Sequence, residues 1–326
     1  MTRYQKLPSN IKYIRNCDDP DIVDVVLATQ DSWPKIVHSK HPFKIYFPQE
    51  TTKAHKTNLN YWKVPYEKFK MVLTNDMRIL YALPNACYMA LFGSQTVIGL
   101  ERSTPKPSDY TKQVMEPEPS CINEPPEKTR NVSLLASRAK YLSGHKLRHR
   151  VANEIKGVDI FGTVLGGAWT YPENAYLPYR FNIAIENSSY AWWSTEKIFN
   201  CFACKTVPIY WGCQGDLSML HLWGFDTKGV ITWNGQITML KDILEKVNDE
   251  YYQSFMPMVQ KNYERQKDLA CFERALALLC IGELNGLTAQ TPNRIIYDTN
   301  NKYYRRYVRI RNSWTRKAFR KLMDAL

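Results

Sequence analysis

Three short stretches of the sequence decide the fold: YRFNIAIENS at Tyr179–Ser188, WSTEK at Trp193–Lys197 and TVPIYWG at Thr206–Gly212. The first is an apolar run with the composition of a strand, and it ends in a polar Glu-Asn-Ser cluster. A helix is predicted next, with Ser194 or Thr195 near its first turn. The third stretch predicts a second short strand that stops at glycine. A strand, helix, strand order of this kind indicates a parallel α/β sheet.

The polar residues that follow these two strands indicate an anionic ligand. Ligands of open α/β sheets lie outside the carboxyl ends of the strands, so we expect both polar clusters to face one crevice. Free backbone N–H groups and the helix dipole favour anions at a helix N-terminus, and Lys197 adds a positive charge there. The pattern therefore predicts a site for a diphosphate.

These stretches resemble the donor-binding signature of the α1,3-fucosyltransferases, glycosyltransferase family 10. That signature reads Phe-x-x-x-Phe-Glu-Asn-Ser/Thr, then Thr-Glu-Lys after a short spacer, then Val/Ile-Pro-Ile-Tyr-Trp-Gly. Nearly every position is present in order over about thirty residues, so chance is a poor explanation. The resemblance implies an α/β protein of the GT-B class, with two Rossmann-like domains facing a central cleft and a basic C-terminal helical tail in this chain.

The resemblance also implies a donor site for GDP-fucose. In the family pattern, Asn187 and Glu196 hold sugar and ribose hydroxyls, and Lys197 contacts the diphosphate. Upstream, the segment from Val132 to Gly162 resembles the family's strand, Arg-bearing helix and Val-Asp-x-Tyr/Phe-Gly, and its spacing places the diphosphate-binding arginine at Arg148. The donor residues expected from the resemblance are Arg148, Glu186, Asn187, Ser188, Trp193, Thr195, Glu196 and Lys197.

One position departs from the family pattern, because Trp193 stands where the family usually has Tyr. A tryptophan can stack on a ring or cover an apolar sugar face, but it has no hydroxyl to offer a phosphate. A different nucleotide-sugar donor on the same scaffold is therefore the alternative. The adjacent Trp192 is a candidate for a core position.

Ordinary structural roles explain some of the same residues without any ligand. Ser194 or Thr195 would then be a helix cap. Glu196 and Lys197 would form a surface ion pair, and Arg148 would lie with Arg150 on a solvated basic helix face.

An inverting transfer needs a base that takes a proton from the acceptor hydroxyl. Glu50 follows the predicted strand Phe43–Phe47 and resembles the family's Glu-containing loop, so it is the expected base. Glu101 is the alternative, and either could be an ordinary surface carboxylate. We expect no metal and no cofactor, because arginine and lysine can neutralise the leaving diphosphate and the nearest acidic cluster, at 18–21, resembles a turn.

Length and composition predict a two-domain globular chain. Its 326 residues suffice for two cores, and 44% hydrophobic content is ordinary for a globular protein. Strands are predicted at Ile22–Leu27, Phe43–Phe47 and Phe69–Leu73, and helices from Met239 to Val247 and from Tyr251 to Leu279. We assign residues 1–130 to an acceptor-side α/β domain that ends in a proline-rich linker, 131–300 to the donor-binding domain and 301–326 to a basic amphipathic tail.

The N-terminus lacks an apolar signal region, and no run of eighteen apolar residues occurs. We therefore expect either a soluble, cytoplasmic member of bacterial or viral type or a trimmed form of an anchored one. We also expect Cys201 and Cys204 to be reduced and partly buried on one helix. The net charge is +13. The segment from Lys302 to Leu326 contains nine Lys or Arg residues and one acidic residue.

The expected partners are a nucleotide sugar and a glycan acceptor. The tail would add weak peripheral membrane contact, and nucleic acid is not expected. The alternative from another class is a non-catalytic carbohydrate-binding or nucleic-acid-binding protein that uses the tail.

Overall fold

A computed structural model describes residues 11–15, 25–28, 33–48, 64–90, 114–115, 124–269 and 294–298. The chain is an α/β protein, and its described strands form two sheets in which all pairs but one are parallel. It divides into two compact units, one around each sheet. The acidic cluster at 18–21 and the basic tail lie outside the described residues. None of the described helices is both long and apolar enough to cross a membrane.

The first unit contains a seven-stranded sheet of order β5-β4-β3-β2-β12-β1-β6. Only β6 runs antiparallel to its neighbour. The last described strand, β12, lies between β1 and β2, although its residue numbers fall in the predicted donor domain. The predicted domain boundaries themselves stay predictions. The elements are β1 (Ile11–Arg15), β2 (Val25–Ala28), α1 (Trp33–Ile36), β3 (Phe43–Tyr46), β4 (Met71–Thr74), α2 (Met77–Ala82), β5 (Ala86–Tyr88), β6 (Val114–Met115) and β12 (Arg294–Asp298).

The second unit contains a five-stranded parallel sheet of order β11-β10-β9-β7-β8. Because all five strands are parallel, their carboxyl ends lie along one edge of the sheet. Its elements are β7 (Arg130–Leu135), α3 (Ser143–Glu154), β8 (Asp159–Phe161), α4 (Pro172–Tyr176), β9 (Tyr179–Ile185), α5 (Glu196–Ala203), β10 (Val207–Trp211), α6 (Ser218–Leu222), β11 (Ile231–Thr232), α7 (Ile237–Leu244), α8 (Asp249–Ser254) and α9 (Met256–Leu269).

The core of the second unit comes from the apolar runs that predicted its strands. Phe181, Ile183 and Ile185 of β9 are almost fully buried beside Val207 and Ile209 of β10. Burying each such side chain contributes about 2 kcal/mol before entropy costs. These strands and the helix between them confirm the interpretation of the opening stretches.

The helix α5 buries the two closely spaced cysteines, as expected from the sequence. Cys201 lies in α5 and Cys204 is its C-cap, and both are fully buried thiols outside any disulfide in the described residues. Burial raises the pKa of the Cys201 thiol well above its ordinary value. Both side chains therefore act as small apolar groups of the core.

A buried lysine fastens the segment that leads into β7. Lys128 is 7% exposed, and its ammonium donates to the carbonyls of Tyr176, Leu177 and Cys204 and to the hydroxyl of Thr206, at 2.5 to 3.3 Å. Burial lowers the pKa of Lys128 to about 8, so the group still carries its charge at neutral pH. One side chain thus joins the ends of α4 and α5 to the start of the sheet.

We expect Lys128→Met to destabilise the second unit by about 2–4 kcal/mol, because three buried or partly buried carbonyls and a hydroxyl lose the ammonium as a donor. Urea unfolding followed by circular dichroism measures the loss. The matched control is Lys156→Met, at an exposed lysine of the same unit, which should change stability by no more than about 0.5 kcal/mol. Equal effects of the two substitutions would contradict the anchoring role.

Candidate functional site

The predicted polar clusters meet at the carboxyl edge of the second sheet. β9 and β10 are parallel neighbours, with Ile185 opposite Trp211. The backbone N–H of Glu186 donates to the carbonyl of Trp211 at 2.9 Å. The helix α5 begins at Glu196, with Thr195 as its N-cap. The two clusters therefore lie at one sheet edge, as expected, and the crevice between them stays a prediction.

Glu186 is the centre of this arrangement. Its carboxylate is fully buried and accepts the backbone N–H of Thr195 at 2.8 Å and the hydroxyl of Tyr210 at 3.1 Å on Oε1. Its Oε2 accepts the hydroxyl of Thr195 at 2.6 Å and lies 3.4 Å from the ammonium of Lys197. One carboxylate therefore fixes the ends of β9 and β10 to the start of α5.

The side chain of Thr195 does not cap the helix as the local pattern suggested. No helix N–H donates to it, and its hydroxyl instead donates to Glu186 and accepts from Lys197 at 2.9 Å. A buried carboxylate is a stronger acceptor for the hydroxyl than water, so the tertiary contact displaces the local one. The capping interpretation is wrong for this side chain.

Glu196 and Lys197 form a largely buried ion pair, and the surface-pair interpretation is wrong. Their Oε1 and Nζ atoms are 2.8 Å apart, and the side chains are 27% and 17% exposed. Burial opposes both charges, but the charges of Glu196 and Glu186 raise the pKa of Lys197. In the same way, Lys197 outweighs burial and lowers the pKa of Glu196. Both groups are therefore charged at neutral pH.

Arg148 lies on α3 and points inward, whereas Arg150 pairs with Glu154 on the exposed face of the same helix. The Nε and Nη2 of Arg148 donate to the carbonyl of Ile185, and Nη2 also donates to Oδ1 of Asn187 at 2.8 Å. Burial lowers the pKa of Arg148, and the charges of Glu186 and Glu196 oppose that shift. The solvated-face interpretation therefore holds for Arg150 and is wrong for Arg148.

The N-terminus of α3 lies directly against the end of β9. The backbone N–H of Gly144 donates to the carbonyl of Asn187 at 3.0 Å. A Cβ atom at Gly144 would lie 1.7 Å from the carbonyl oxygen of Glu186, so only glycine fits. This close approach brings the first turn of α3 to the same sheet edge as Lys197.

His145 belongs to this cluster, although the sequence analysis gave it no role. It is 4% exposed, and its Nδ1 accepts the backbone N–H of Leu142 at 3.4 Å. Burial and the neighbouring charge of Arg148 lower the pKa of His145 to about 4, against a hydrogen bond with Asn187 that favours the charged form. The sequence did hold a signal for this role of His145. It directly follows Gly144 at the start of the helix that also carries Arg148.

His145 should make the stability of this unit depend on pH. The unfolded histidine has its ordinary pKa near 6.5 and the folded one is near 4, so only the unfolded chain takes up a proton between these values. The contribution of His145 to the free energy of unfolding is then fully present above pH 6.5. It is lost as the pH drops from there toward 4.

Replacement by glutamine removes the titration and keeps an acceptor for the Leu142 N–H, as in a capping box. Between pH 7 and 4.5 we expect wild type to lose about 2 kcal/mol more than His145→Gln, after allowance for solvent screening. Urea unfolding at the two pH values tests this. Equal losses of stability in wild type and His145→Gln would contradict the assignment of this pH dependence to His145.

The remaining predicted donor residues differ in their surroundings. Ser188 is buried. Trp193 is 4% exposed as a residue, so little of its ring surface is open to a sugar in this structure. Its backbone carbonyl accepts the Cys213 thiol at 3.0 Å. Trp192, the candidate for the core, is only partly buried, and its indole donates to Asp216 at 2.8 Å. The core position expected for Trp192 is therefore occupied by Trp193 instead.

Both candidates for the base, Glu50 and Glu101, lie outside the described residues. Their roles stay predictions. Among the residues that the structure describes, no group of three His, Cys, Asp or Glu side chains could hold a metal ion.

Residues 125–222 match the family model described as glycosyltransferase family 10 (fucosyltransferase) C-term. This segment is similar to the C-terminal part of glycosyltransferase family 10. All eight donor residues expected from the sequence fall within the matched segment. No curated protein matches the sequence.

Three solved structures align with most of this chain. One is an α1,3-fucosyltransferase with GDP, at 17% identity and a TM-score of 0.42, covering 81% of this chain and 79% of that one. Another is an α1,3-fucosyltransferase with GDP-fucose, at 16% identity and a TM-score of 0.38, covering 78% and 71%. The third is TarM, at 12% identity and a TM-score of 0.48, covering 82% and 55%.

Proposed function

We propose that this glycosyltransferase transfers fucose from GDP-fucose to a hydroxyl of a glycan acceptor, with inversion and without a metal ion. The observation that carries the proposal is the meeting of the buried Arg148 and the largely buried Lys197 at one sheet edge, within the segment that matches the fucosyltransferase family model. Buried positive charge beside a helix N-terminus favours a diphosphate.

Hydrogen-bond donors remain for such a ligand. In the described part of the chain, Nη1 of Arg148 makes no hydrogen bond, while its Nε and Nη2 donate to Ile185 and Asn187. Lys197 is held by Glu196 in the absence of a ligand. A diphosphate would take over the ammonium and release the Glu196 carboxylate for a ribose or sugar hydroxyl.

In the proposed reaction, the acceptor oxygen attacks the anomeric carbon opposite the leaving GDP. Glu50, or alternatively Glu101, takes the proton of the acceptor hydroxyl. Arg148 and Lys197 neutralise the charge that develops on the leaving diphosphate, which is the task a metal ion performs in other enzymes. Transfer by Glu50→Gln and Glu101→Gln variants separates the two candidate bases.

The GT-B arrangement, a cytoplasmic location and weak membrane contact through residues 301–326 belong to the same proposal. The alternative, a different nucleotide sugar, is favoured by tryptophan in place of the family's tyrosine at Trp193.

Thermal unfolding with a panel of nucleotides and nucleotide sugars, with and without EDTA, tests the proposal, because a ligand that binds only the folded state raises the midpoint. Selective stabilisation by GDP and GDP-fucose that EDTA does not change is the expected result. Selective stabilisation by another nucleotide would mean that the donor is a sugar of that nucleotide and not GDP-fucose. No response to any of them, together with no release of GDP from GDP-fucose, would favour a binding protein without catalytic activity.

A further inference from the structure

The loop after β8 exposes an unusual amount of apolar surface. Six large apolar side chains are exposed among the described residues, and three of them lie within seven positions of this loop. Leu165 is 53% exposed, Trp169 68% and Tyr171 42%. Exposed clusters of this kind on a folded domain usually mark a place where something binds.

This loop has a defined conformation. Gly162 has a φ of +86°, and a Cβ there would lie 2.4 Å from the carbonyl oxygen of Ala136. The Oγ1 of Thr163 accepts the backbone N–H of Arg138 at 3.0 Å, in the loop that follows β7. The requirement for glycine at Gly162 and the hydrogen bond between Thr163 and Arg138 both hold this loop in one conformation. Its exposed apolar surface is therefore a defined part of the fold.

The two aromatic rings hold each other in place. The centroids of Trp169 and Tyr171 are 4.6 Å apart, with an angle of 76° between the ring planes. This edge-to-face contact is the preferred geometry for aromatic pairs. Tyr171 is also fixed as the N-cap residue of α4, which has Pro172 at its first position. A ligand would therefore meet a prearranged pair of rings with polar edges.

The position and charge of the pair limit what the ligand is. The loop leaves the carboxyl end of β8, at the same edge of the parallel sheet as the carboxyl ends of β9 and β10, with β7 between β8 and β9. In a chain with net charge +13, no Lys, Arg or His occurs from Gly157 to Tyr179. The segment itself therefore offers no cation to a phosphate or nucleic acid, whereas a neutral ring with an apolar face and polar edges fits its exposed rings.

We propose that Trp169 and Tyr171 form a subsite for a neutral sugar ring of the acceptor glycan. The inference rests on the proposed glycosyl transfer and adds that the donor-binding unit itself contributes to acceptor recognition. Trp169 is the main contact because it presents the larger exposed ring, and Tyr171 supports it.

The test compares Trp169→Ala, Tyr171→Ala and Trp169→Phe with wild type, using GDP-fucose and the neutral disaccharides lactose, N-acetyllactosamine and cellobiose as acceptors. We expect Trp169→Ala to raise the acceptor KM about tenfold and to leave the donor KM unchanged. Trp169→Phe should recover most of the loss. The matched control is Leu222→Ala, which should change neither KM. Leu222 is 74% exposed and lies at the end of α6 in the same unit.

Fluorine NMR on protein labelled with 5-fluorotryptophan separates this inference from the proposed function. The resonance of Trp169 is identified by its loss in Trp169→Phe. It should shift on addition of the same disaccharides even if no transfer occurs, so failure of the donor assignment leaves the subsite testable. An unmoved resonance, or an unchanged acceptor KM in Trp169→Ala, overturns the subsite. Loss of concentration-dependent self-association in Trp169→Ala, with no effect on sugars, also overturns it.

Discussion

Glu186→Ala should destabilise the second unit by about 3–5 kcal/mol, because it removes the acceptor for three buried donors and the counter-charge of a buried lysine. The donors are the backbone N–H and hydroxyl of Thr195 and the hydroxyl of Tyr210. Burial raises the pKa of Tyr210 well above its ordinary value, so this hydroxyl cannot ionise to avoid the loss. Water has no ready access to replace the carboxylate at a fully buried position.

Urea unfolding followed by tryptophan fluorescence measures this effect, since six of the nine tryptophans belong to the second unit (Trp169, Trp192, Trp193, Trp211, Trp223 and Trp233). The isosteric Glu186→Gln should lose less, about 1–3 kcal/mol, because one oxygen remains as an acceptor. The matched control is Glu154→Gln, at an exposed carboxylate on α3, with an expected change within about 0.5 kcal/mol. A loss below about 1 kcal/mol for Glu186→Ala would contradict the central role of this carboxylate.

Lys197→Ala should weaken GDP binding about 10- to 100-fold, because a charge-assisted contact to a diphosphate contributes roughly 1.5–3 kcal/mol. The substitution also leaves the carboxylates of Glu186 and Glu196 close together without a cation. Their mutual repulsion should further disfavour an anionic ligand. Lys197→Arg keeps the charge and should lose less affinity than Lys197→Ala.

Isothermal titration with GDP measures this prediction, at a temperature where circular dichroism shows that each variant is folded. The matched control is Lys261→Ala, at a lysine that is 59% exposed and pairs with Asp226 on the surface. Its affinity for GDP should equal that of wild type within about twofold. Wild-type affinity in Lys197→Ala would mean that the diphosphate, if it binds, does not use this ammonium.

The second unit could be predicted well because its signals are local and contiguous. The apolar runs that became β9 and β10 have strand composition, and each stops at a polar or glycine residue. The inward position of Arg148 could not be read from helix periodicity, and it required the resemblance. Once the strands are parallel and neighbouring, their polar ends must share an edge, so the gathering of Asn187 and Lys197 was predictable.

The chemistry of individual atoms was less predictable, because it depends on partners far apart in sequence. The sequence shows that a glutamate follows a strand, but the donors to Glu186 come from Thr195 and Tyr210 on two other elements. The same long-range contact displaced the local capping rule at Thr195. His145 was missed for a similar reason, since its low pKa depends on burial against Arg148 and not on its neighbours in sequence.

The return of β12 to the first sheet has a consequence for how the chain folds during synthesis. β1 and β2 are separated in that sheet by a strand that the ribosome makes last among the described residues. At ordinary translation rates, β1 waits roughly half a minute for this partner.

The strands of the second unit, in contrast, follow one another between Arg130 and Thr232 and need no later residue to complete their described sheet. The order of emergence therefore favours the second sheet as the first to close. In the meantime β1 and β2 each present an unpaired strand edge, and such edges are prone to non-native pairing until β12 arrives.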